Sequence, residues 1–165
     1  MNMKKIVFAV LIVVGLLFIG GCALLRQDQP QLLNWEPTLS PDGRMLAYAS
    51  PGENGFELYV RNLETGETTR LTENEVDDWA PNWSPKGDRL VYSSNQEDNV
   101  DLYIIELGTL AIIRLTTDAG KDVNPYWGSN DKILFNSDRS RAWEVYMIDP
   151  DGRNLIAITE TPPEG

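Results

Sequence analysis

A segment of about 44 residues recurs three times, and this period limits the fold more than any other feature of the chain. PTLSPDGRMLAYAS begins at Pro37, PNWSPKGDRLVYSS at Pro81 and PYWGSNDKILFNS at Pro125. Two further anchors keep the same register. One is Glu57-Leu58-Tyr59, Asp101-Leu102-Tyr103 and Glu144-Val145-Tyr146. The other is Arg70-Leu71-Thr72, Arg114-Leu115-Thr116 and Ala157-Ile158-Thr159. The third repeat is one residue shorter, where GSND replaces SPDG. A unit of this size cannot bury an apolar face alone and must stack on its neighbours.

Each repeat reads as four short strands. Strand a ends in Leu39, Trp83 or Trp127. The turn that follows, Ser-Pro-Asp-Gly or Ser-Pro-Lys-Gly, suits type I geometry: Pro presets the first central torsion and Gly fits the last position. Strand b alternates apolar and other residues, as in Met45-Leu46-Ala47-Tyr48. Strand c carries the acid-aliphatic-Tyr triplet, and strand d ends in Leu/Ile-Thr. Four strands per 40–45 residues is about the period of a propeller blade. The expected fold is all-β: three four-stranded antiparallel propeller blades over 32–165, at about 32–72, 76–116 and 120–159. Tyr59, Tyr103 and Tyr146 recur at one blade position, which marks them as structural.

The pattern Asp-x-x-Pro-x-Trp-Ser-Pro-Asp-Gly, then an apolar strand ending in Ser, then Leu-Tyr and Leu-Thr, resembles the TolB-type β-propeller repeat. It stands here as Asp78 to Gly87 and as Asp122 to Trp127, while the first copy has Asn34 for the Asp and Leu39 for the Trp. The resemblance covers about residues 32–159. It implies a periplasmic or surface protein. TolB itself serves envelope integrity and binds a peptidoglycan-associated lipoprotein. The same repeats also form the substrate-gating propeller of prolyl-oligopeptidase-like enzymes, so the fold alone does not choose between uses.

Lys4-Lys5 precede an uncharged run from Ile6 to Gly21. The run is shorter than the roughly 20 residues of a spanning helix and has the form of a secretory signal. It ends in Ile19-Gly20-Gly21-Cys22, which resembles the bacterial lipobox. That resemblance implies cleavage after Gly21, diacylation of the Cys22 sulfur and acylation of the new amino group. Residues 1–21 are then the signal peptide, and 22–31 are the lipidated Cys and a tether. The expected location is exported and lipid-anchored, on the cell membrane or the outer membrane. Several acyl chains hold a protein to a membrane durably where one does not.

The net charge is −11, which argues against nucleic acid, whose phosphates need a basic face. There is no His, so Ser-His-Asp and Cys-His pairs and His-ligated zinc are excluded. Cys22 is the single cysteine, so neither an internal disulfide nor a zinc–thiolate cluster is available. No Gly-x-Ser-x-Gly elbow occurs, and no EF-hand loop spacing. No cofactor and no metal ligands are expected.

In a four-stranded meander the b–c and d–a loops share one face. That face receives Glu53, Glu73, Glu75, Asp77, Asp78, Glu97, Asp98, Asp118, Asp122 and Asp138, against Lys121, Arg139 and Arg141. The opposite turns nearly balance. The acids are either ordinary solvated loops or a docking face for a basic partner or a divalent cation, since clefts of one sign focus such ligands. Asp77, Asp78, Asp122, Glu97, Asp98 and Asp138 are the candidate binding residues. Asp78 and Asp122 also suit a second role, bracing the d–a loop. Trp83 and Trp127, with Trp35, Trp79 and Trp143, are either inter-blade packing or a stacking platform.

These features together describe a membrane-anchored, non-catalytic module of the cell envelope that binds a protein or ligand. A carboxylate-dependent envelope glycan hydrolase and a purely structural envelope element are the alternatives. Three blades form an open fan whose end faces expose apolar sheet; the readings left open are a head-to-tail homodimer that completes a six-bladed ring, a partner chain that supplies the missing blades, a half-propeller monomer and a truncated product.

Overall fold

The computed structural model describes residues 35–160. The signal peptide, Gly21, Cys22 and the tether lie outside the described residues. The first blade is β1 (Trp35–Leu39), β2 (Met45–Pro51), β3 (Phe56–Asn62) and β4 (Thr68–Arg70). The second is β5 (Asp78–Trp83), β6 (Arg89–Ser94), β7 (Asp101–Glu106) and β8 (Ile112–Arg114). The third is β9 (Asp122–Trp127), β10 (Ile133–Ser137), β11 (Glu144–Ile148) and β12 (Ile156–Ala157). Each blade is an antiparallel meander with its strands in chain order. This is the expected fold class, three four-stranded propeller blades.

Two apolar layers hold the blades together. Ala47, Ala49, Leu58, Val60 and Leu71 of the first blade pack against Trp83, Leu90, Tyr92, Tyr103 and Ile105 of the second. Val91, Leu102, Ile104 and Leu115 of the second pack against Trp127, Ile133, Phe135, Tyr146 and Ile148 of the third. Trp83 and Trp127 are thus buried inter-blade residues, which decides their role for packing. The recurring Tyr has a fixed partner across the sheet. The rings of Tyr48 and Tyr59, Tyr92 and Tyr103, and Phe135 and Tyr146 lie 5.7, 5.8 and 5.9 Å apart.

The structure departs from expectation in strand d, which ends before the Leu/Ile-Thr pair. The reason is a side chain that takes over the ladder. The Leu58 and Leu102 N–H groups donate to the hydroxyls of Thr72 and Thr116 at 3.0 Å, and Val145 N–H donates to that of Thr159 at 2.9 Å. The innermost strands carry a second repeated irregularity. Glu36, Ala80 and Asn124 all adopt left-handed backbone, with φ of 52°, 52° and 54°. Each sits at a register shift in strand a, as bulges do where a strand must bend. The third a–b turn is tighter. Asp131, at φ 60°, stands where Gly43 and Gly87 supply φ of 72°.

Candidate functional site

The b–c and d–a loops meet on one face, as expected, and a ladder of hydrogen bonds joins them. Asp77 N–H donates to Asn95 Oδ1 at 2.8 Å, and one repeat later Lys121 N–H donates to Asp138 Oδ1 at 2.6 Å. Asp77 Oδ1 accepts from Phe56 N–H at 2.9 Å. The Asn99 amide donates to the carbonyls of Asp118 and Gly120, both at 2.9 Å. Gly55 makes one of these approaches possible: a Cβ there would lie 2.3 Å from the Val76 carbonyl oxygen.

Beneath the loops each blade holds a buried carboxylate at the start of strand c. Glu57 accepts from Arg70 Nη2 at 3.0 Å and from the Thr72 hydroxyl at 2.7 Å. Asp101 accepts from Arg114 Nη2 at 2.7 Å and from the Thr116 hydroxyl at 3.3 Å. In the third blade the Thr159 hydroxyl donates to Glu144, and Ala157 stands where Arg70 and Arg114 stand earlier. The same Thr therefore accepts from strand c through its backbone and donates to the acid beside it. A hydroxyl that does both satisfies two buried groups at once.

Asp78 and Asp122 do not belong to the exposed face: both are fully buried. This corrects the sequence assignment. Each opens strand a of its blade under the loops, where the preceding blade seals it from solvent. Asp122 accepts two hydrogen bonds from Arg139 Nη2, at 2.8 and 2.9 Å. Asp78 has no arginine. Its Oδ2 accepts from the Asn74 amide at 2.9 Å, while its Oδ1 and the hydroxyl of Ser94, its cross-strand partner, have no hydrogen-bond partner among the described residues. Burial pushes both carboxyls above the ordinary range, opposed at Asp78 by the Asn74 amide and at Asp122 by Ser137 and Arg139. A raised carboxyl in a cleft is a candidate acid or base, but these two are closed to any substrate.

The other assigned acids lie at the surface. Glu97 and Asp98 are exposed at the tip of the second b–c loop, and Asp77 and Asp138 are half-buried. Glu53, Glu73 and Glu75 are exposed beside them. Arg139 is no free base, since it is committed to Asp118 and Asp122. The face is thus acidic even without the two buried aspartates. Among the described residues no group of three Cys, Asp or Glu converges as a metal-binding set.

Trp143 is exposed in the third blade's b–c loop. Trp35 and Trp79 take neither Trp83's nor Trp127's position. With Phe56, Glu36 and Asp77 they line a cleft at the loop end of the inner strands. Phe56 and Glu36 escaped the sequence reading. The signal available for Glu36 was its place before Pro37, where the chain bulges.

Stacked four-stranded meanders with an inner strand a, joined through tryptophan-bearing apolar layers, define a β-propeller protein with one acidic loop face. The chain belongs to the TolB beta propeller domain family, which matches residues 22–162. TolB from Acinetobacter baumannii is similar over 77% of this chain and 32% of its own, at 25% identity and a TM-score of 0.71. A protein assigned as TolB from Agrobacterium tumefaciens is similar over 79% of this chain and 50% of its own, at 24% identity and a TM-score of 0.72. An oligogalacturonate lyase from Vibrio parahaemolyticus shares the fold at 19% identity, over 76% of this chain and 39% of its own, with a TM-score of 0.60. The chain spans half or less of the length of each.

Proposed function

We propose that the protein is an exported, lipid-anchored envelope module that binds a basic partner on its acidic loop face and carries out no chemistry there. One observation carries this reading: where the b–c and d–a loops meet, solvent-reaching acids outnumber the uncommitted bases Lys121 and Arg141, on loops latched to one another by hydrogen bonds. A fixed surface of one sign raises the encounter rate of an oppositely charged partner and orients it. The family and the lipobox-like end at Cys22 support the envelope location. Enzymes share this fold, but the two carboxyls that burial raises among the described residues, Asp78 and Asp122, are sealed from substrate.

The test is capture of partners from solubilised envelopes by the full chain. A variant with Glu75→Gln, Glu97→Gln, Asp98→Asn and Asp138→Asn should lose the captured protein and keep its melting temperature, because exposed charges contribute little to stability. Asn at 138 retains the acceptor for Lys121 N–H. Undiminished capture by this variant would overturn the reading. Anchoring is tested separately. Cys22→Ser should take up no labelled fatty acid and should accumulate as precursor.

The reading includes a second copy of the chain. What supports it is positional: Leu134, Val145, Met147 and Ile158 occupy in the third blade the places that Val91, Leu102, Ile104 and Leu115 fill in the second. Those of the second blade are buried by the third, whereas Ile158 is 49% exposed. The first-blade surface of another copy, carrying Leu39 and Tyr48 where Trp83 and Tyr92 stand, would cover them as blades two and three are covered here.

A further inference from the structure

The cleft between the first two inner strands has the makings of a recognition site. Its volume is about 290 Å³, and its lining is Trp35, Glu36, Phe56, Asp77 and Trp79. The Trp35 and Phe56 rings lie 4.9 Å apart at 39°. Trp79 is anchored against the layer between the blades, while Trp35 is 45% exposed. Each acid spends one oxygen on the fold. Glu36 Oε2 accepts from Ala80 N–H at 2.6 Å, and Asp77 Oδ1 accepts from Phe56 N–H. The second oxygen of each, Glu36 Oε1 and Asp77 Oδ2, accepts no hydrogen bond among the described residues. Both carboxylates are therefore fixed in place with acceptor capacity left over.

The repeat supplies its own control. One period further on, the corresponding residues are Trp79, Ala80, Val100, Lys121 and Val123. The aromatic wall is reduced, both acids are gone, and a lysine replaces Asp77. Features that every blade needs recur with the period, as the buried acid, Thr and Tyr do. This set does not recur, so blade packing does not require it.

Aromatic faces carry negative charge density, and the free oxygens are acceptors only. A cation satisfies both, through attraction to the ring faces and hydrogen bonds to the carboxylates. An anion would be repelled, and a neutral apolar group would strip water from two charges without replacing it. Of the two cationic side chains, the planar guanidinium stacks on indole and donates in a fork, which an ammonium does not. We propose that this cleft is a subsite for an arginine side chain of the partner that docks on the acidic loop face, a proposal that rests on that docking reading.

Full-length protein in detergent micelles is titrated with amidated tetra-arginine, tetra-lysine and cellotetraose, followed by tryptophan fluorescence and calorimetry. Tetra-arginine should bind several-fold more tightly than tetra-lysine. Trp35→Ala should weaken tetra-arginine by about tenfold and abolish the preference over lysine. Asp77→Asn, which keeps the acceptor for Phe56 N–H, should weaken it several-fold. The variant with Glu75, Glu97, Asp98 and Asp138 neutralised should weaken both peptides alike. Tetra-arginine binding that survives Trp35→Ala and Asp77→Asn but not that neutralisation would overturn the cleft and leave the docking face standing. No binding of either peptide would overturn both. Binding of cellotetraose that Trp35→Ala abolishes, with no arginine preference, would overturn the cationic ligand in favour of a sugar.

Discussion

Arg139 grips Asp122 through both carboxylate oxygens, at 2.8 and 2.9 Å, and Asp122 is fully buried while the arginine side chain keeps 15% exposure. The guanidinium also reaches Asp118 at 2.6 Å and stacks over the rings of Tyr146 at 4.8 Å and Phe135 at 5.4 Å. One side chain thereby ties the third blade's b–c loop to the d–a loop and to the first residue of strand a.

Replacing Arg139 with Met keeps much of the packing over Tyr146 and removes the charge. The expected loss is about 2 kcal/mol, below the usual cost of orphaning a buried partner, because Asp122 can take up a proton instead. The defect should shrink as pH falls, since protonated Asp122 no longer needs a cation. Urea unfolding at pH 7 and pH 4 checks both the size and the pH trend. An equal loss at the two pH values would mean that only packing was disturbed.

Asp78 behaves in the opposite sense, because no arginine meets it. Burial raises its folded-state pKa above the unfolded value. The stability it contributes is therefore full below the ordinary carboxyl range and is lost as pH rises through its folded value. Above the ordinary carboxyl range, neutral pH included, its burial therefore costs stability. Asp78→Asn should then raise stability at pH 7 by about 1 kcal/mol, with the new amide also offering Ser94 a partner. The gain should vanish near pH 3. Thermal melts across that range read the effect directly.

Trp127 fills the layer between the second and third blades, and the Arg89 guanidinium lies 4.8 Å over its ring. Trp127→Ala should cost about 3–5 kcal/mol, whereas Trp35→Ala should cost well under 1 kcal/mol. Circular dichroism during denaturation separates the two. Comparable losses would place Trp35 in the core and contradict its exposure.

Ile158 tests the second copy. The full chain in micelles should scatter light as a dimer across a dilution series, and Ile158→Asp should yield a folded monomer. A folded, non-aggregating monomer of the unmodified chain at every concentration would remove the dimer. Association only with a different chain would assign the open face to that partner.

Much of the architecture is written locally. The 44-residue period, the Ser-Pro-x-Gly turns and the alternation within strands depend on residues close together in the chain, so the blades and their order are legible without coordinates. Trp83, Trp127 and the recurring Tyr are legible for the same reason: a residue that returns at one blade position answers a demand every blade makes. Solvent access is a different property, because it depends on what the next blade brings about 44 residues away. Asp77 and Asp78 are neighbours of identical chemistry, yet one lies at the surface and the other is sealed under the preceding blade. Asp78 and Asp122 share a motif, yet only Asp122 has an arginine, since Arg139 stands where the second blade has Gln96. The cleft of Trp35, Phe56 and Asp77 was equally out of reach, because its walls come from three strands and a loop that only the stacking of blades brings together.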